Sequence, residues 1–221
     1  MKQTIAAVCL VGSLFPFTAR ACDLALSLAL DISSSLNPEQ RQQIRVGTAA
    51  ALMDPEVVQA FTHASVWLQI FEWADDQRIL VDWRQIANSD DMADLATALT
   101  NAPNDGKAGA MTGMGPAMLF ARAQFDKLDC DRNVLDIMTD GQPNDGVPVA
   151  VAREQFDEGA HEINVLFLGD NPKALAQMNA QVKFGYGAFV QPVADLQSYQ
   201  HGMLRKLLRE ISMNVPNRSE G

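Results

Sequence analysis

The sequence predicts a single α/β domain built on one mainly parallel, doubly wound sheet, and three observations predict it. Short apolar runs of strand length alternate with amphipathic helical stretches along most of the 221 residues. Two of those runs end in polar turns bearing Asp, at the strand ends where open α/β sheets collect ligands. One pair of runs is joined by a turn too short for a crossover, which marks an antiparallel strand at an edge. With 48% hydrophobic and 20% charged residues, the chain can bury one good core and needs no second domain.

Residues 1–21 read as a cleaved signal peptide: Lys2 supplies the positive start, Ile5 to Phe17 the apolar run, and Ala19-Arg20-Ala21 a small-x-small cleavage site. The run is broken by Gly12, Ser13 and Pro16 and falls short of the roughly 20 residues that span a bilayer. The mature domain is expected over 22–216, with 217–221 a polar tail, in the periplasm or secreted.

Within the domain, Leu24 to Leu30 is a buried strand that runs into Asp31-Ile32-Ser33-Ser34-Ser35, and Asn37-Pro38-Glu39 opens a helix to about Met53. Asp54-Pro55 breaks it, and a short helix carrying Val57, Val58 and Phe61 leads to strand two, Ala64 to Trp73. Ala74-Asp75-Asp76-Gln77 turns tightly into Arg78 to Trp83, the antiparallel third strand. A helix over Asp90 to Thr100 precedes a loop rich in Asn, Gly and Pro, Asn101 to Gly115, and a further helix over Pro116 to Leu128. The apolar run Asn133 to Thr139 ends in Thr139-Asp140-Gly141, followed by a helix from Val147 to Gly159 and a strand from Ile163 to Leu168. The rhythm repeats with a helix from Pro172 to Val182, a strand near Ala188 to Pro192 and an amphipathic helix from Leu196 to Met213. That last helix, with Leu204, Leu207, Leu208 and Ile211 on one face, is expected to cover the sheet.

Net charge narrows the partners. Cleavage removes Lys2 and Arg20 and no acids, leaving 15 Lys and Arg against 27 Asp and Glu, a net of −12. Such acidity repels nucleic acid and anionic membranes. Cys9 leaves with the signal, so Cys22 and Cys130 are the two thiols that remain in an oxidising compartment, and they are expected to pair.

Asp31-x-Ser33-x-Ser35 places three oxygen-bearing side chains on one loop at the end of the first strand, a donor set that suits a hard cation. Taken singly, each part has an ordinary reading: Asp and Ser after a strand cap helices, and Thr139-Asp140-Gly141 makes a turn. Taken together with Thr112 in the long loop and Asp140, they resemble, in order and strand context, the metal-ion-dependent adhesion site of von Willebrand factor A domains. Phe71-Glu72-Trp73, Val81-Asp82-Trp83, Gly185-Tyr186-Gly187-Ala188-Phe189 and the stretch from Leu204 to Ile211 further resemble an exported bacterial branch of that family whose function is unassigned.

The resemblance implies six strands in the order 3-2-1-4-5-6 with helices on both faces. It implies that Ser33 and Ser35 bind the metal directly, Thr112 directly or through water, and Asp31 and Asp140 mostly through water. The implied ion is Mg²⁺, with Mn²⁺ or Ca²⁺ as substitutes, and the implied partner is a protein whose Asp or Glu completes the coordination. Neutral hydroxyls nearest the ion leave its charge under-neutralised, so it wants one more anionic oxygen. That topology also puts Cys22 and Cys130 near the bottom of adjacent strands, where a disulfide would staple the sheet. Met111 and Met114, flanking Thr112, are expected to form an apolar rim. Trp67, Phe71, Trp73 and Trp83 read as core, and His161 as a surface residue.

Enzyme readings lack their parts. A phosphohydrolase using Asp31 as nucleophile wants a second Asp where Ser33 stands, no Gly-x-Ser-x-Gly accompanies the histidines, and Gly113-Met114-Gly115 lacks a nucleotide loop's third glycine. The expectation is therefore a metal-dependent binding domain and not an enzyme, with a purely structural metal as the alternative.

Overall fold

A computed structural model of the chain describes residues 22–105 and 109–212. The expected signal peptide at 1–21 and the polar tail at 217–221 lie outside the described residues. One sheet of six strands runs β3-β2-β1-β4-β5-β6 through the centre: β1 (Cys22–Asp31), β2 (Val66–Trp73), β3 (Gln77–Gln85), β4 (Cys130–Thr139), β5 (His161–Leu168) and β6 (Val190–Val193). All neighbours pair in parallel except β2 and β3. That hairpin is the predicted edge, and its register shifts between Leu68 and Phe71.

Strand alternation divides the interior in two. Leu24, Leu26, Leu28 and Leu30 of β1 face a core shared with α1 (Pro38–Leu52), α2 (Pro55–His63), α3 (Ser89–Asn101) and α7 (Tyr199–Ser212). Ala25 and Ala29 face the other core, with Phe71, Trp73, Leu135 and Ile137, against α4 (Met114–Phe125), α5 (Val149–Arg153) and α6 (Pro172–Gln177). Period-two strands sort side chains this way because successive Cβ atoms point to opposite faces. Small residues in β1 on the second side let α4 approach its backbone closely.

Helix starts follow the predicted chemistry. Asn37 and Gln40 form a reciprocal capping box ahead of Pro38, as do Asn88 and Asp91 ahead of α3. Asp54 caps α2 by accepting from the Glu56 amide. Among the described residues no helix is long and apolar enough to cross a membrane.

Several boundaries differ from expectation, each for a local reason. Helix α4 begins at Met114, two residues before Pro116, because proline fits the first turn, where its missing N–H has no partner to lose. Helix α5 stops at Arg153 and not near Gly159: Asp157 turns the chain back, its carboxylate accepting from the Gly159 amide at 2.8 Å and its carbonyl from the His161 amide at 2.8 Å. The helix from Pro172 changes to a π-helical stretch at Met178–Val182. Trp67 and Trp83 are half-buried against the second core, while Phe71 and Trp73 are fully buried. His161, expected on the surface, is buried between the rings of Phe125 and Phe156, which β5 draws to it at the foot of the sheet.

At that same foot, Cys22 and Cys130 are direct register partners on β1 and β4 and form a disulfide. The metal-type residues lie at the opposite, carboxyl end of these two strands.

Candidate metal centre

Asp31 is the last residue of β1 and is completely buried. Its Oδ1 accepts the Ser33 amide at 2.8 Å, and its Oδ2 accepts the Thr139 hydroxyl at 2.7 Å. Among the described residues no basic side chain pairs with it. Burial therefore pushes its pKa up to about 6, the hydrogen bonds from Ser33 and Thr139 pull back, and the nearby Asp140 charge pushes further up.

The turn after β1 folds so that Ser33 and Ser35 stand together, with Oγ atoms 3.1 Å apart. Ser35 Oγ donates to Asp140 Oδ1 at 2.7 Å across a sequence separation of 105. Asp140 follows β4, level with Asp31 because the two strands are parallel neighbours in register. Thr112 is buried, and its Oγ1 lies 3.8 Å from where a Cβ on Gly141 would stand. All five predicted ligands thus come together at one end of the sheet: Asp31 and Ser33 buried, Thr112 at the entry to α4, Asp140 half-buried and Ser35 open to solvent.

The donor set fits a hard divalent cation. Ser33, Ser35 and Asp140 form a chain of adjacent oxygens with Thr112 beside Gly141, and a buried carboxylate stands behind them that no cation among the described residues compensates. Among the described residues no group of three His, Cys, Asp or Glu side chains is placed to hold a metal ion, so a cation held here would rest chiefly on hydroxyls.

Met111 is exposed beside Thr112 and suits the expected rim. Met114 does not: as the first residue of α4 it turns inward and is completely buried in the second core. Three residues around the site escaped sequence reasoning. Thr139 anchors Asp31, Asn144 accepts the Thr112 amide at 2.8 Å, and Asp75 accepts the amides of Ala110 and Met111 at 3.2 and 2.6 Å. A signal existed only for Asp75, whose place in a turn suits a carboxylate that caps backbone N–H groups.

A six-stranded sheet of this order, with an Asp-x-Ser-x-Ser turn at its carboxyl end, defines the von Willebrand factor A type of α/β fold. The chain belongs to the family described as "Protein of unknown function (DUF1194)", which it matches over residues 21–215. Solved structures of the same fold include a von Willebrand factor type A protein from Catenulispora acidiphila, with a TM-score of 0.66 at 15% identity, over 86% of this chain and 43% of that one. Proximal thread matrix protein 1 from the mussel byssus, solved with a zinc-occupied adhesion-site motif, aligns with a TM-score of 0.61 at 13% identity, over 88% of this chain and 49% of that one. The pilus adhesin SpaC from Lactobacillus rhamnosus GG aligns with a TM-score of 0.61 at 12% identity, over 86% of this chain and 30% of that one. This chain thus spans less than half the length of each. A comparison with curated proteins finds no match.

Proposed function

We propose that this chain is an exported binding domain that holds a divalent metal through Ser33, Ser35 and Thr112, with Asp31 and Asp140 behind them, and engages a protein partner through that metal. The observation that carries the reading is the meeting of Ser33, Ser35, Asp140 and Thr112 beside a fully buried Asp31 that no side-chain cation among the described residues neutralises. Mg²⁺ suits the oxygen donors and Mn²⁺ or Ca²⁺ can replace it. The zinc-occupied site of the mussel protein and the adhesin role in the name of the Lactobacillus protein support a divalent ion and protein contact.

A bound divalent ion would supply a positive centre able to accept a partner's Asp or Glu. This chain's residues do the rest: the two serines present neutral oxygens, so the charge is not spent within the site. Asp31 is held by the Ser33 amide and the Thr139 hydroxyl and does not rotate towards solvent. The acidic surface around it repels carboxylates elsewhere, which confines productive contact to the metal. No catalytic role is proposed, since neither a nucleophile–base pair nor a second carboxylate at position 33 accompanies Asp31.

The test joins binding to capture. The wild-type domain should bind Mg²⁺ and Mn²⁺ by titration calorimetry and, when immobilised, retain envelope proteins in Mg²⁺ but not in chelator. Asp140→Ala should lose both while keeping its circular dichroism spectrum. Metal binding without metal-dependent capture would point to an ion that only stabilises the loops, and release of phosphate from a phosphoester, abolished by Asp31→Asn, would overturn the reading.

A further inference from the structure

Thr112 reaches the site from a long loop, and the contacts that hold its segment come from three other elements. Asp75, in the β2–β3 turn, accepts the Ala110 and Met111 amides through its two carboxylate oxygens. Gly109 crosses directly over that carboxylate with φ +107°, a conformation favouring glycine, and any Cβ there would collide with it. The Ala110 carbonyl accepts from the Ser34 amide at 2.9 Å, tying the segment to the Asp31 turn. On the other side Asn144 closes a two-way clasp: its side-chain Oδ1 accepts the Thr112 backbone N–H at 2.8 Å, and its backbone N–H donates to the Thr112 carbonyl at 3.1 Å. Gly113 then donates to the Ala74 carbonyl at 3.2 Å, so close that a Cβ would stand 2.5 Å from that oxygen.

Asp75 and Asn144 are both exposed side chains, and neither is among the metal-type ligands. Yet between them they fix the backbone on both sides of Thr112, one from the β2–β3 turn and one from the loop that carries Asp140. Resting on the metal-binding reading above, we propose that Asp75 and Asn144 are positioning residues that hold Thr112 Oγ1 within reach of the ion. Asn144 in addition ties the Thr112 segment to the Asp140 loop, so the two ligands on these separate loops move as one unit.

Outer residues of this kind usually govern metal affinity by 10–100-fold (roughly) when removed. Mn²⁺ is the probe, with bound and free ion counted by electron paramagnetic resonance on the full mature domain. Asp75→Ala and Asn144→Ala should each weaken Mn²⁺ binding about tenfold and alter the spectrum of the bound ion. Their metal-free melting temperatures should stay close to wild type, because both side chains face solvent. Asn144→Asp keeps an oxygen that can accept the Thr112 amide and should restore affinity. Asp76→Ala removes the same charge from the neighbouring position and should leave affinity near wild type, which separates positioning from mere loss of negative field. If wild type binds Mn²⁺ and both alanine variants bind it equally well, the positioning roles fail while the metal site stands. Equal losses in Asp76→Ala and Asp75→Ala would also overturn the role of Asp75. If wild type itself binds no Mn²⁺, the metal reading falls and this assignment with it.

Discussion

Asp31 is a fully buried acid whose two oxygens are both occupied by donors from its own molecule, one a backbone amide and one the Thr139 hydroxyl. Those bonds offset only part of the cost of its burial, as its raised pKa attests. Thr139→Val keeps the volume of the side chain but leaves Oδ2 without its donor in a place water does not reach. Loss of a partner to a buried polar group costs about 1–3 kcal/mol, more for a charged one. Urea unfolding in chelator should therefore show Thr139→Val less stable than wild type by at least about 1 kcal/mol. Unchanged stability would mean that Asp31 is satisfied some other way. At this scale Asp31, Ser33 and Ser35 were legible as oxygen-bearing residues at fixed spacing after a strand, while Thr112 and Asp140 were joined to them by the family resemblance. Thr139 and Asn144 were not, since a hydroxyl or amide that steadies another residue leaves no spacing pattern. Met114 misled because its place beside Thr112 spoke of loop, whereas the helix had already begun.

Strands β1 and β4 carry the site at one end and the Cys22–Cys130 bridge at the other. Their pairing is the spine of the sheet, and the bridge closes a sequence separation of 108 residues. On chain-entropy grounds a loop of that length is worth up to roughly 4–5 kcal/mol, with strain and residual structure reducing it. Cys22→Ser/Cys130→Ser, or reduction of wild type, should lower the melting temperature by several degrees while Mn²⁺ affinity stays within about twofold, since the site is at the far end of both strands. A collapse of affinity with the fold intact would mean that the foot of the sheet controls its top. The strands were the readable elements: β1, β2, β4 and β5 are buried on both faces over most of their length, and each carries a dense stretch of apolar residues. The hairpin and strand order followed, one from the short turn at Ala74 and one from the family resemblance. Helix ends were harder. The turn at Asp157 that cuts α5 short and the π-helical stretch after α6 depend on hydrogen-bond choices that apolar periodicity does not record.

Across the whole molecule, the last helix is fastened to the centre of the sheet by charge as well as by apolar contact. Lys206 on α7 reaches Asp136 of β4 at 2.5 Å and Glu210 at 2.6 Å, and all three are completely buried. Asn164 of β5 donates to Glu210 at 2.9 Å, the Phe189 ring lies under the ammonium, and Tyr199, bonded to Thr48 of α1, feels the Asp136 charge. Two acids share one cation, so burial, and then repulsion from Glu210, raise the Asp136 pKa from its ordinary 3.8 to about 7, against the pull of Lys206. Between those two values the folded chain keeps a proton that the unfolded chain has lost. Raising the pH through that window therefore favours unfolding, and the contribution is greatest in acid and gone above about pH 7. Asp31, also raised, acts in the same direction, so the pH profile of wild type alone does not isolate the cluster. Asp136→Asn does: it retains a polar group of the same shape that cannot ionise, while Asp31 contributes equally to both proteins. Measured in chelator, the melting temperature of wild type should fall more steeply than that of the variant between pH 5 and 8. The gap between the two should change by at least roughly 3 °C, since 1 kcal/mol is worth about 2–4 °C in a chain of this size. Parallel profiles would show that Asp136 stays ionised throughout, with Lys206 fully compensating it, and that the attachment of α7 to the sheet is indifferent to pH.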